Sequence, residues 1–202
     1  MRAAHRELIT LLRRLERRGV TVIDLIRRGQ PPEPWRLYPG EEGIFDRRTG
    51  CQFYFHAHPD AADEAGHFHT VRLFPDHTAH IVAISVAPDG WPRALFTVNQ
   101  WATGDADEPP ARLQAFARRF SVDPRRGPAE VVRFVNLVFL AFLPEIEALQ
   151  DAKARTLAAY CAAHPGREPF EDRALEILSR VAIDIRRRDV AVGGVTGAGG
   201  AS

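Results

Sequence analysis

The apolar positions along the chain change their period twice. From Arg2 to Arg28, Leu8, Leu11, Leu12 and Leu15 recur on one helical face, Gly19 interrupts, and Val22, Ile23, Leu25 and Ile26 resume before Gly29. Two helices, or one broken helix, are expected over residues 1–29. The next stretch, 30–50, carries Pro31, Pro32, Pro34 and Pro39 with Gly40, Gly43 and Gly50, which argues against a long regular element. Trp35, Leu37, Tyr38, Ile44 and Phe45 are the residues expected to pin it down.

Between Cys51 and Trp101 the period falls to two. Four strand-like runs follow one another, Cys51 to His58, His67 to Phe74, Ala79 to Ala87 and Arg93 to Trp101, separated by short turns rich in Pro, Asp and Gly. Connections this short favour an antiparallel meander. Helical patterns then return at Pro109–Phe120, Pro128–Leu143 and Pro144–Ala163, each opening at a proline, and His164-Pro165-Gly166 ends the last. Within Glu171–Arg186 the alternation of Leu175, Ile177, Val181, Ile183 and Ile185 favours a late strand over 174–186. The Gly- and Ala-rich tail 193–202 cannot form a core and is expected to be disordered. The pattern as a whole describes an α+β domain over 1–192, with a four- or five-stranded antiparallel meander packed against N-terminal and C-terminal helices.

Composition narrows the function classes. The chain has 202 residues, 45 % apolar, and a formal charge of +1. A chain of this size buries roughly 70 % of its unfolded surface, so it needs no disulfide. The near-zero charge argues against a nucleic acid or an acidic membrane as partner, and Arg13, Arg14, Arg17 and Arg18 read as a solvated helix face. Lys153 is the only lysine among the 27 basic residues. Cys51 and Cys161 lack CxxC spacing, and the N-terminus lacks the apolar run of a secretory signal, so free thiols and a cytoplasmic setting are expected. Val131–Leu143 contains Arg133 and Asn136 and is too short to span a bilayer; it reads as a buried helix. A small molecule is the partner class these exclusions leave open. No Walker A, GxGxxG, GxSxG or HExxH motif supports a nucleotide, serine-hydrolase or zincin reading.

The chemistry concentrates in the histidines. Of eight, His56, His58, His67 and His69 fall within fourteen positions, as two HxH pairs on neighbouring strands. Side chains two apart in a strand share a face. With His58 opposite His67 and His56 opposite His69, four imidazoles would form a quadrilateral with Cβ separations of about 5 Å, within reach of one zinc or iron ion. Glu64 in the connecting loop and Asp46 upstream are the candidate further ligands or bases for a metal-bound water. The alternative is a metal-free polar surface, completed by Tyr54 and Gln52, in a ligand-binding or interaction protein. His80 is read as a core-edge residue or a ligand, and His5, His77 and His164 as solvated. Asn99, Gln100, Thr103 and Asp105 are candidates for a pocket mouth or for caps of the sheet. A metal site of this kind would suit hydrolytic or oxidative chemistry on a small molecule.

Two resemblances bear on this reading. Gly50, His56, His58 and Glu64 resemble the first metal motif of the cupins, but with longer spacing and no second motif. More of the chain resembles a bacterial family known as a domain of unknown function, family 6969. The resemblance rests on Tyr38-Pro39, Ile44-Phe45-Asp46, Gln52 to His58, Gly66 to Thr70, His80 to Ile84, Leu95 to Gly104, Pro144 to Leu149 and Phe170 to Arg173. The chain departs from it at Arg36-Leu37 and Gly43-Ile44. The resemblance implies boundaries and no activity.

Overall fold

The computed structural model describes residues 1–58 and 64–186; residues 59–63 of the turn expected at 59–66, the domain limit at 192 and the tail 193–202 lie outside the described residues. Helix α1 (Arg2–Arg17) buries Leu8, Leu11, Leu12 and Leu15, the stripe that its periodicity marks. Gly19, at φ +67°, turns the chain out of it. Thr21 then caps α2 (Val22–Arg27): its hydroxyl accepts from the Asp24 N–H at 3.1 Å, and the Asp24 carboxylate accepts from the Thr21 N–H at 2.9 Å. This reciprocal cap makes the N-terminal segment two helices and not one bent helix.

The sheet has six strands, not four or five: β1 (Ile44–Asp46), β2 (Cys51–His56), β3 (Gly66–Leu73), β4 (Thr78–Val86), β5 (Pro92–Val98) and β6 (Ile177–Ala182). They lie in chain order, each antiparallel to its neighbour. The strand absent from the sequence reading, β1, has three residues, too few for alternation to show. It is held by Ile44 opposite Phe53 and Asp46 opposite Cys51. The fourth run is shorter than expected because the Asn99 side chain accepts the Gln100 N–H at 2.7 Å and starts the short helix α3 (Gln100–Thr103). The late strand is present as β6 and adds an edge to the sheet.

Pairing across the sheet sorts the side chains into rows. Phe55, Phe68, Ile84, Leu95 and Val181 stand directly opposite one another on successive strands, and the first four are essentially fully buried. They face the helical layer formed by α4 (Pro110–Ala117), α5 (Ala129–Ala141) and α6 (Leu143–Ala163). The Phe134 ring of α5 lies 5.5 Å from that of Phe68. On α6 the carbonyl of Leu149 accepts from the Ser179 hydroxyl at 2.9 Å, and the Gln150 amide donates to the Ile81 carbonyl at 2.7 Å. Burying an aromatic or aliphatic side chain in such a layer contributes about 1.5–3 kcal/mol. The helices therefore claim one face of the sheet and leave the other to the intervening rows. Among the described residues no helix is long and apolar enough to cross a membrane.

Candidate metal centre

The face turned away from the helical layer carries the histidines. In one row His56 stands opposite His67, followed by Ser85, Ala94 and Ala182; in the next, Tyr54 stands opposite His69, followed by Ala83, Phe96 and Arg180. The expected pairing of His58 with His67 and of His56 with His69 is therefore corrected by two residues. Because two is the period of a strand, the slip leaves every histidine on its expected face. A slip of one would have dispersed them.

The register brings three imidazoles to one point. The Nε2 atoms of His56 and His67 are 2.8 Å apart, those of His67 and His69 3.0 Å, and those of His69 and His56 3.2 Å. These three residues could hold a metal ion. His67 and His69 are buried, at 5 % and 3 % exposure, while His56 is half-buried and faces the opening. The fourth histidine, His58, lies past the end of β2, so its Nε2 reaches only His56, at 3.3 Å. Its ring packs on Trp35, with centroids 4.2 Å apart. Trp35 is 60 % exposed and has a left-handed backbone, φ +66°. It sits at the rim beside His58, and its backbone N–H donates to the Ala57 carbonyl at 3.0 Å, so it ties the upstream loop to the end of β2 while the buried Tyr38 and Ile44 hold the loop further along.

The two buried histidines of the triad are held from behind. His67 Nδ1 lies 2.5 Å from Glu64 Oε1, and the Ser85 hydroxyl donates to the other oxygen of the same carboxylate. Both oxygens of Glu64 are thus engaged in orienting His67. His69 Nδ1 lies 2.9 Å from His80 Nε2. His80 reaches this face through a β-bulge: Thr70 pairs with Val82 but Val71 pairs with His80, so Ile81 is the extra residue and parity inverts. Without the bulge His80 would point at the helical layer, and alternation along β4 gives no sign of it.

Asp46 is not brought to the cluster. It pairs with Cys51 on the helix-covered face, and its carboxylate accepts from the backbone N–H groups of Arg48 at 2.9 Å and Asp123 at 3.1 Å. It serves the β1–β2 turn and anchors the segment before α5. Beside His80, Gln100, Thr103 and Asp105 line a small cavity with Lys153 and Phe170. His77 lies outside this face, bonded to Asp76 at 2.9 Å and to Glu108 at 3.0 Å.

Electrostatics favour neutral imidazoles. Burial, reinforced by His67 and His58, pushes His56 down to about 3 against the opposing pull of Glu64. Burial, with Lys153 and His67 adding to it, pushes His80 down to about 3 as well. His69 is driven well below the ordinary range by its burial and then by the surrounding imidazoles, and His58 is lowered by burial and His67. For Glu64 burial would raise the carboxyl, but the bond and charge of His67, the Ser85 hydroxyl and Arg180 outweigh it and hold it low. His56, His58, His69 and His80 are thereby favoured as uncharged nitrogen donors and Glu64 as an ionised carboxylate, a pattern that suits a divalent ion.

The sequence model of a domain of unknown function, DUF6969, matches residues 2–183. The chain belongs to the DUF6969 family. No curated protein and no solved structure matches it. The match spans all six strands, so the whole histidine face lies inside the DUF6969 domain. The single-sheet meander also separates this domain from the two-sheet jelly roll that the cupin-like spacing would imply.

Proposed function

We propose that His56, His67 and His69 bind one divalent transition metal ion, zinc or iron, and that the centre supports hydrolytic or oxidative chemistry on a small molecule. The observation that carries this reading is the Nε2 triangle, with sides of 2.8, 3.0 and 3.2 Å. Metal–nitrogen bonds of about 2.05 Å at octahedral or tetrahedral angles set neighbouring donor atoms about 2.9–3.3 Å apart. The supporting shell agrees. We assign the Nδ1 proton of His67 to its bond with Glu64 and that of His69 to its bond with His80, which frees both Nε2 lone pairs for an ion between them. Three protein ligands leave positions for water and substrate, the arrangement of catalytic sites and not of structural ones. His58, at the rim and 3.3 Å from His56, is the imidazole placed to take a proton from a group bound there. The free thiols of Cys51 and Cys161 support the reducing, cytoplasmic setting.

One observation favours a second reading. The line Glu64, His67, His69, His80 is also a chain of hydrogen-bond distances that needs no ion, as in a metal-free binding or interaction domain. Protein loaded with zinc or with iron(II), assayed on chromogenic esters and phosphoesters and in an oxygen electrode, separates the two. Turnover abolished by a chelator and by His67→Ala is the expected result; loaded protein with no metal-dependent turnover on any of these would remove the catalytic claim.

A further inference from the structure

We infer that Arg180 receives the carboxylate of a small organic acid that is the substrate of the proposed centre, an inference that rests on the metal reading above. The row that carries His69 also carries Arg180, in the order Tyr54, His69, Ala83, Phe96, Arg180. The guanidinium therefore leaves the sheet on the histidine face. Phe96 joins the two: its ring meets the His67 ring edge-on at 5.1 Å and carries the Arg180 guanidinium at 5.4 Å. A ligand on the open side of the triad has a fixed positive group within the reach of a short carbon chain.

Two further features point to an anion. Imidazole ligands bring no negative charge to a divalent ion, and among the described residues Glu64 is the only acid hydrogen-bonded to the triad, so the centre they form keeps a net positive charge that favours an anionic fourth ligand. Arg180 is exposed and, among the described residues, makes no ion pair with a carboxylate. Glu64, the acid it acts on, has its two oxygens occupied by His67 and Ser85. Glu176 and Glu64 are the acids felt at His58, so the negative end of a ligand is steered away from that rim and toward Arg180. A planar guanidinium suits a carboxylate, which it binds through two parallel hydrogen bonds.

The test uses cobalt(II)-loaded protein, whose visible bands report a change of ligand at the metal, titrated with malonate, with methyl phosphate and with azide. Malonate perturbs the wild-type spectrum, and Arg180→Gln weakens malonate at least about tenfold while azide, which needs only the metal, stays within about twofold. Arg180→Lys falls between. Equal malonate affinity in wild type and Arg180→Gln, or Arg180-dependent binding of methyl phosphate in place of malonate, overturns the inference alone. Wild-type protein that retains no cobalt overturns the metal reading and this inference with it.

Discussion

At the scale of single residues, the proposed centre depends on groups that would not touch the ion. Glu64 fixes the His67 ring through a 2.5 Å contact, and its second oxygen is tied to Ser85. Glu64→Gln keeps the shape and removes the charge, and is expected to weaken metal binding about 10- to 100-fold in competition with a chromophoric chelator. Unchanged affinity would show that Glu64 has no such part. Protonation competes with the metal at the same lone pairs. Because burial pushes His56 down to about 3 and His69 well below its ordinary range, these two members of the triad stay uncharged where a free imidazole would protonate. Acid release of the ion should therefore have its midpoint below about pH 6.5, the free-imidazole value. A midpoint at or above that value contradicts the electrostatic account.

At the scale of elements, the site depends on the alignment of β2 with β3. Gly66, at φ +141°, opens β3, and a Cβ there would meet the His56 carbonyl and the Phe55 ring. Gly66→Ala is expected to cost about 1–3 kcal/mol in chemical denaturation and to weaken metal binding, because the displaced neighbour is His56, a proposed ligand. A variant with wild-type stability and affinity would remove the register argument. The same elements show how far the sequence could be read. Alternation in Gln52–His56 and His67–Thr70 assigned the faces correctly, because a packed helical layer selects one parity. The register itself came out two residues away, since parity is unchanged by an even slip and hydrophobicity cannot see it. His80 was legible only as an ambiguous edge residue, because the Ile81 bulge breaks the alternation that would have classified it. Asp46 looked available by proximity in sequence, but pairing with Cys51 turned it to the opposite face. Trp35 and Arg180 joined the site through tertiary pairing that no local pattern encodes.

At the scale of the whole molecule, a polar face on one side of the sheet is supported by an apolar layer on the other. Phe134→Ala, emptying the contact with Phe68, is expected to cost about 3–5 kcal/mol by urea denaturation. A cost under about 1 kcal/mol would mean that the helical layer does not hold the sheet. The histidines couple this stability to pH. His56, His69 and His80 have folded-state values below those of the unfolded chain, so between the two the unfolded state binds more protons. Stability of the metal-free protein is therefore full above about pH 6.5 and falls as the pH drops below it. Urea midpoints at pH 7.5 and 5 should differ in that direction with an unchanged slope, and equal midpoints would contradict it.

The central claim is that this face holds a metal, and elemental analysis of tag-free protein, incubated with zinc or iron(II) and dialysed, tests it most directly. The account predicts about one ion per chain, lost in a folded His56→Ala/His69→Ala variant and kept in His5→Ala/His164→Ala, which alters histidines outside the cluster. Protein that stays metal-free, or that keeps its ion in the His56→Ala/His69→Ala variant, would contradict it.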